Sequence, residues 1–270
     1  MGSVRPPAVA GRFYPGTPEA VDQMLDQLLP KVRETGAWAG VLVPHAGWVY
    51  SGRLAAMALS RVAIPSRVIV ICPKHRAGGA DWAVAPYRGW ALPGRELESD
   101  LELAKQLVEH VPGLVLDSEA HRDEHAIEVQ LPILARLAPE SRVVGIAIHG
   151  GDFQRIAKSA EQLARVLQSL EERPLLVISS DMNHYADDEN TRRLDRMALE
   201  AMQALDAQRL YDTVVSQRIS MCGMLPAVLV METLRQLGSL NRYDPVGYAT
   251  SGDASGDRRQ VVGYAAGLFA

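Results

Sequence analysis

Cysteine is scarce in this chain: Cys72 and Cys222 are the only two among 270 residues. That excludes a disulfide framework and suits a reducing compartment. No CxxC pair is present, so a closed structural zinc site is not expected. Basic charge is not in excess either. Lys and Arg total 28 against 32 Asp and Glu, for a net charge of −4 and a pI near 6.0. A nucleic-acid binder relying on a basic face is therefore not expected. No apolar run approaches the ~20 residues that a membrane span needs. The opening "MGSVRPPAVAGRFYPG" lacks a basic stretch followed by an apolar one, so no signal peptide is expected. Pro6 stands where a myristoylation signal wants Ser or Thr. The expectation is a cytoplasmic protein with neither a nucleic-acid nor a membrane partner.

What is present is an apolar fraction of 47%, enough for a sizeable core. Continuous apolar runs predict strands at Gly40–Val43, Arg67–Cys72, Arg142–Ile148 and Leu175–Ser179, the signature of strands buried on both faces. Two more are expected at Tyr243–Ala249 and Val261–Phe269. Helices are expected between them. "TPEAVDQMLDQLL" opens with Thr17 as cap and Pro18 in the first turn. "SDLELAKQLVEHVPG" opens with a Ser99/Glu102 capping box and stops at Pro112-Gly113. "DFQRIAKSAEQLARVLQSL" follows Asp152, and "LPAVLVMETLRQLG" stops at Gly238. This alternation predicts an α/β fold, one domain over residues 1–270, with a mostly parallel central sheet and helices on both faces. "SGDASGDRR", residues 251–259, reads as flexible.

In open parallel sheets, sites lie beyond the carboxyl ends of the strands. Histidines stand at those ends: His45 after the first run, His75 after the second, His184 with Asp181 after "LLVISS", and His149 after "VVGIAI". His45 and His75 read as metal ligands, His149 as a loop residue. Cys222, in "ISMCGMLP", stands at the start of the last long helix, where free N–H groups should lower its pKa and favour thiolate. Cys72 reads as a small buried hydrophobe. Two imidazoles and one thiolate make three ligands, which leaves open positions and suits zinc, copper or ferrous iron. Asp123, Glu124, His125 and Glu128 crowd the start of a helix in "HRDEHAIEVQLP", a group suited to orienting ligands and moving protons. Asp123 and Asp181 read equally well as caps.

"PHAGWVYSG", "CPKH", "DEHAIEVQLP", "SSDMNHY", "SMCGMLP" and "GYATSGDASGD…VVGYAAG" occur in the order found in the Memo family. The chain resembles that family over nearly its whole length. Prokaryotic members are called AmmeMemoRadiSam system protein B, and the family's fold is similar to that of the class III extradiol, LigB-like dioxygenases. The resemblance implies metal ligands at His45, His75 and Cys222. It implies that Asp181, His184 and His125 line the same pocket. Two departures stand out: Lys74 and Arg76 replace the family's usual residues beside His75, where they would favour an anionic substrate or simply be solvated, and Trp48 replaces another aromatic.

The resemblance suggests a metal-dependent oxidoreductase of dioxygenase type, with iron expected first, then copper, then zinc. His184 would act as general base and acid, steered by Asp181, with His125 placing the substrate. The rival expectation is a metal-binding or adaptor protein without turnover, working with radical SAM and AMMECR-type partners and holding a small molecule or peptide. Zinc hydrolysis is a weaker third, without an HExxH signature.

Overall fold

A computed structural model describes residues 2–270. The chain runs β1 (Val4–Arg5), α1 (Pro18–Leu28), β2 (Gly40–Val43), α2 (Trp48–Ser60), β3 (Arg67–Pro73), β4 (Trp82–Val84), β5 (Gly89–Leu92), β6 (Arg95–Glu98) and α3 (Leu101–His110). It continues through β7 (Val115–Leu116), α4 (Glu119–Arg122), a short 3-10 turn, α5 (Leu131–Leu137), β8 (Arg142–Ile148), α6 (Phe153–Gln168), β9 (Leu175–Ser179) and β10 (His184–Ala186). It ends with α7 (Asp188–Gln203), α8 (Ala207–Ser216), α9 (Met224–Gln236), β11 (Tyr243–Thr250), α10 (Ser251–Ser255) and β12 (Val261–Phe269).

The four apolar runs become the centre of the main sheet, in the order β2-β9-β3-β8, all parallel. Side chains alternate across it, as strand geometry requires. Leu42, Ile69, Ile71, Ile146 and Ile178 pack on the face covered by α6 and α9. Val41, Val43, Val68, Val70, Cys72 and Val177 pack on the face covered by α1, α2 and α5. Both faces are buried, which is why the polar residues of these strands, Arg67, Arg142 and Ser179, stand only at their ends. Each fully buried aliphatic side chain contributes about 1.5–3 kcal/mol.

The flanks are antiparallel. β12 pairs with β2 on one side, with β10 and β11 beyond it, and β4 pairs with β8 on the other. The centre is thus the expected parallel sheet with helices on both faces, and the antiparallel strands extend it. A separate small sheet joins β1 to the β5–β6 hairpin. That hairpin turns through Pro93-Gly94, with Gly94 at φ 76, the positive φ that a type II turn places after proline.

Two local expectations give way. Asp100, not Ser99, caps α3, its carboxylate accepting from the Leu103 N–H at 3.0 Å. Residues 251–259 are ordered. A Thr250/Asp253 capping box starts α10, Asp188 pairs with Arg192 and Arg258, and Arg192 bonds Asp253 as well. The stretch that read as flexible is held by these ion pairs and by the helix cap. Among the described residues no helix is long and apolar enough to cross a membrane.

Candidate metal centre

Because the four central strands are parallel, the loops after β2, β3 and β9 open on one edge of the sheet. The first of these turns from strand to helix within four residues, and His45 sits in the turn. Its backbone N–H donates to Asp181 Oδ1 at 2.7 Å, tying the loop after β2 to the loop after β9. His45 is fully buried. Its Nδ1 lies 2.9 Å from Ser179 Oγ, and that hydroxyl donates to the Ala126 carbonyl at 2.6 Å. With the serine proton spent there, His45 Nδ1 must donate, and the lone pair is left on Nε2. Nε2 lies 3.2 Å from Cys222 Sγ.

Half-buried His75 is set by a carboxylate. Its ring Nδ1 donates to Glu124 Oε1 at 2.9 Å and its backbone N–H to Oε2 at 2.7 Å, again leaving Nε2 bare. Glu124 also accepts from the His125 and Ala126 N–H groups. Burial works to raise the Glu124 pKa, but the hydrogen bond and charge of His75 prevail and hold it down at about 2. It is therefore an anion, the partner that commonly orients a ligating imidazole.

His125 completes the cluster. The ligand atoms of His45, His75 and His125 all lie within 4.8 Å of one another, and the ring centroids are 4.7–5.4 Å apart. Its Nδ1 is buried without a hydrogen-bond partner. Phe13, from the segment after β1, packs on its ring at 4.8 Å. Burial, then the neighbouring imidazole, lowers the pKa of His45 and of His125 to about 3. Both rings are neutral at pH 7, the form that binds metal. Three imidazoles converging, one of them beside a sulfur, fit a borderline transition metal and would suit neither calcium nor magnesium.

Cys222 departs from its expected chemistry. It precedes the Gly223 cap of α9, and Gly223 presses so closely on Ser180 that any Cβ would overlap the serine side chain. Burial, reinforced by Asp181, pushes the thiol pKa up, and this outweighs the helix terminus. In the metal-free protein Cys222 is a thiol.

The pocket beyond these residues encloses about 440 Å³, walled by Phe13, Tyr50, Tyr264 and Tyr185, with no Lys or Arg among its lining residues. Lys74 instead reaches the Gly79 carbonyl of its own loop at 3.0 Å, and Arg76 reaches the Asp123 carbonyl at the end of α4 at 3.2 Å, so both are spent on the backbone. Tyr185, at the mouth, is 73% exposed and holds φ 63, a strained value for an aromatic residue. His184 lines the same pocket, but Asp181 does not steer it: the Asp181 carboxylate takes the His45 N–H, and His184 Nδ1 donates to the Ser220 carbonyl at 2.8 Å. Asp123 is exposed and pairs with Arg122, while His149 is exposed and away from the pocket.

The family model for Memo-like protein matches residues 5–268. The chain belongs to the Memo family. Curated relatives called MEMO1 family protein agree over nearly their whole length. The one from Aquifex aeolicus is 37% identical over 98% of this chain and 99% of its own. Those from Archaeoglobus fulgidus and Methanopyrus kandleri are 35% and 34% identical, over 98% of this chain and 99% and 98% of theirs. On this Memo chain the motif residues His45, His75, His125, Asp181, His184 and Cys222 all line one pocket. Ser179, Ser220, Phe13 and Gln130, whose amide donates to the Pro44 carbonyl beside His45 at 2.7 Å, were missed in the sequence. Only Ser179 carried a signal, its place between a buried strand and Asp181.

Proposed function

We propose that the chain is a metal-dependent oxidoreductase of dioxygenase type acting on a small, flat substrate. The observation that carries this reading is the convergence of three imidazoles, with Cys222 against one of them, at the floor of an aromatic-walled pocket. His45 and His75 would hold the metal, together with His125 or Cys222; iron is favoured over copper, and copper over zinc. Bound there, an iron or copper ion supplies the one-electron chemistry with dioxygen that side chains lack.

The protein's own part is positional. Ser179 and Glu124 fix the tautomers of His45 and His75, so both present Nε2. Phe13, Tyr50 and Tyr264 line the walls and suit a planar ring. His184, with its proton on Nδ1, offers Nε2 to take a substrate hydroxyl proton and return it later. No cation lines the pocket, so a substrate anion would be met by the metal and not by a guanidinium.

A second reading, retention of metal without turnover, draws on the 3.2 Å approach of Cys222 Sγ to His45 Nε2, a soft pair suited to monovalent copper. Protein purified without oxygen and assayed for metal, then for oxygen uptake with a series of catechols and enediols, separates the two. The oxidoreductase reading expects near-stoichiometric iron and uptake that stops in His184→Ala while metal stays bound. Tight copper with no uptake for any substrate would favour retention. A metal-free protein that cannot be reconstituted would remove both.

A further inference from the structure

His184 is aimed from behind. Its Nδ1 faces the Ser220 carbonyl, which only accepts, so the proton is on Nδ1 and the lone pair on Nε2. Its backbone N–H donates to Ser220 Oγ at 2.7 Å. Ser220 is held in turn by Asn183, whose Oδ1 accepts from the Ser220 N–H at 3.2 Å and O–H at 3.0 Å. Asn183 is held by Asp195: its backbone N–H donates to Asp195 Oδ1 at 2.8 Å, while the Tyr248 hydroxyl donates to Oδ2 at 2.6 Å.

Packing alone does not account for Asp195. It is 0% exposed on α7 and makes no ion pair among the described residues. Arg192, one turn before it, is engaged with Asp188 and Asp253. A buried carboxylate without a cation is costly, and an apolar residue would fill the space at lower cost. The fold nevertheless makes room for it. Gly263 of β12 lies against the carboxylate, where any Cβ would overlap it. Gly263 also bonds the same loop twice, donating its N–H to the Asn183 carbonyl at 2.9 Å and accepting the Met182 N–H at 2.8 Å.

We infer that Asp195, acting through Asn183 and Ser220, is the positioning residue that fixes the tautomer and aim of His184, with Gly263 as the space that admits it. The inference rests on reading His184 as the acid–base group of the pocket. It adds a residue outside the pocket to the machinery, on a helix that contributes nothing to the lining.

The test uses metal-free, full-length protein with ¹⁵N-labelled histidine, at about pH 8, above the ordinary imidazole range. The readout is the pair of ring ¹⁵N shifts of His184, assigned by their loss in His184→Gln. Wild type should show one form, protonated at Nδ1. Asp195→Asn keeps an oxygen for the Asn183 N–H and an amide that the Tyr248 hydroxyl can accept from, so that form should persist. Asp195→Leu keeps the bulk but not the acceptor, and the shifts should move toward a mixture of the two tautomers. Gly263→Ala displaces the carboxylate with Asp195 still present and should do the same, and it serves if Asp195→Leu does not fold. Unchanged His184 shifts in either folded variant would overturn the inference. No metal or substrate enters the measurement, so a failed oxidoreductase reading would leave its outcome untouched, and the reverse.

Discussion

Two buried polar clusters sit side by side in this fold and end in opposite states. In one, Glu128 accepts from Arg5 Nη1 and the Ala8 N–H on one oxygen, and from the Val9 N–H and Tyr14 hydroxyl on the other. Arg5 also donates to the His121 and Glu124 carbonyls and lies over the Trp90 ring. Both residues are at most 2% exposed, Glu128 accepts four hydrogen bonds, and every side-chain nitrogen of Arg5 has a partner. In the other cluster, His75 has Nδ1 satisfied and Nε2 bare, His125 Nδ1 has no partner, and His45 Nε2 meets only the Cys222 sulfur. Glu124 belongs to both, its backbone carbonyl facing Arg5 and its carboxylate facing His75. Saturation marks the part that holds the fold, and unspent lone pairs mark the part that can bind something.

If that contrast is right, the first cluster fails by unfolding and the second by losing metal. The largest effect belongs to Glu128→Ala. It strands a buried guanidinium and should cost about 3–5 kcal/mol in urea unfolding. A variant of wild-type stability with lost metal affinity would break the contrast. Acid comes next. His45 and His125 are held neutral with pKa values of about 3, so their contribution is full above the ordinary imidazole value near 6.5. It is lost as pH falls toward about 3, because only the unfolded chain takes up the protons. Metal-free protein should lose ~1.4 kcal/mol per pH unit for each such histidine over that window. Flat stability between pH 7 and 5, measured by chemical denaturation, would contradict the buried neutral assignment. Glu124→Gln then tests the shared residue. It keeps the shape but drops the charge that orients His75, and metal affinity should fall about 10–100-fold. The smallest change expected is Ser179→Ala, which frees the His45 tautomer and should weaken metal binding about 10-fold. Equal stability losses in Glu124→Gln and Glu128→Ala, with metal affinity intact, would merge the two clusters into one.

The central strands were legible because burial on both faces leaves an uninterrupted apolar run. Helix α2 was not, since "WVYSGRLAAMALS" is small and apolar on several sides and its cap, Gly47, makes no side-chain hydrogen bond. Helix α7 follows the good cap Asp187, yet it buries Asp195 and Thr191 where the helical pattern calls for apolar residues. Histidines at strand ends pointed to the pocket through topology alone. Their partners did not, because Ser179 with Ala126, or Arg5 with Glu128, meet across 53 and 123 residues and leave no local trace. The Cys222 thiol was misjudged for a related reason. A helix terminus can be read from sequence, whereas the burial that outweighs it cannot.

Strand β12 has a consequence for how the chain is made. Its partner β2 is the first strand of the core to be synthesised, and the two meet through Leu42 beside Gly267 and Gly40 beside Phe269. Until residues 261–269 are available, "GVLV" has one side of its backbone unpaired, with side chains that are wholly apolar. Such an edge is a ready template for another chain. A chain stopped before Val261 should therefore aggregate through its oldest core strand, and the last nine-residue strand acts as a built-in chaperone for the first.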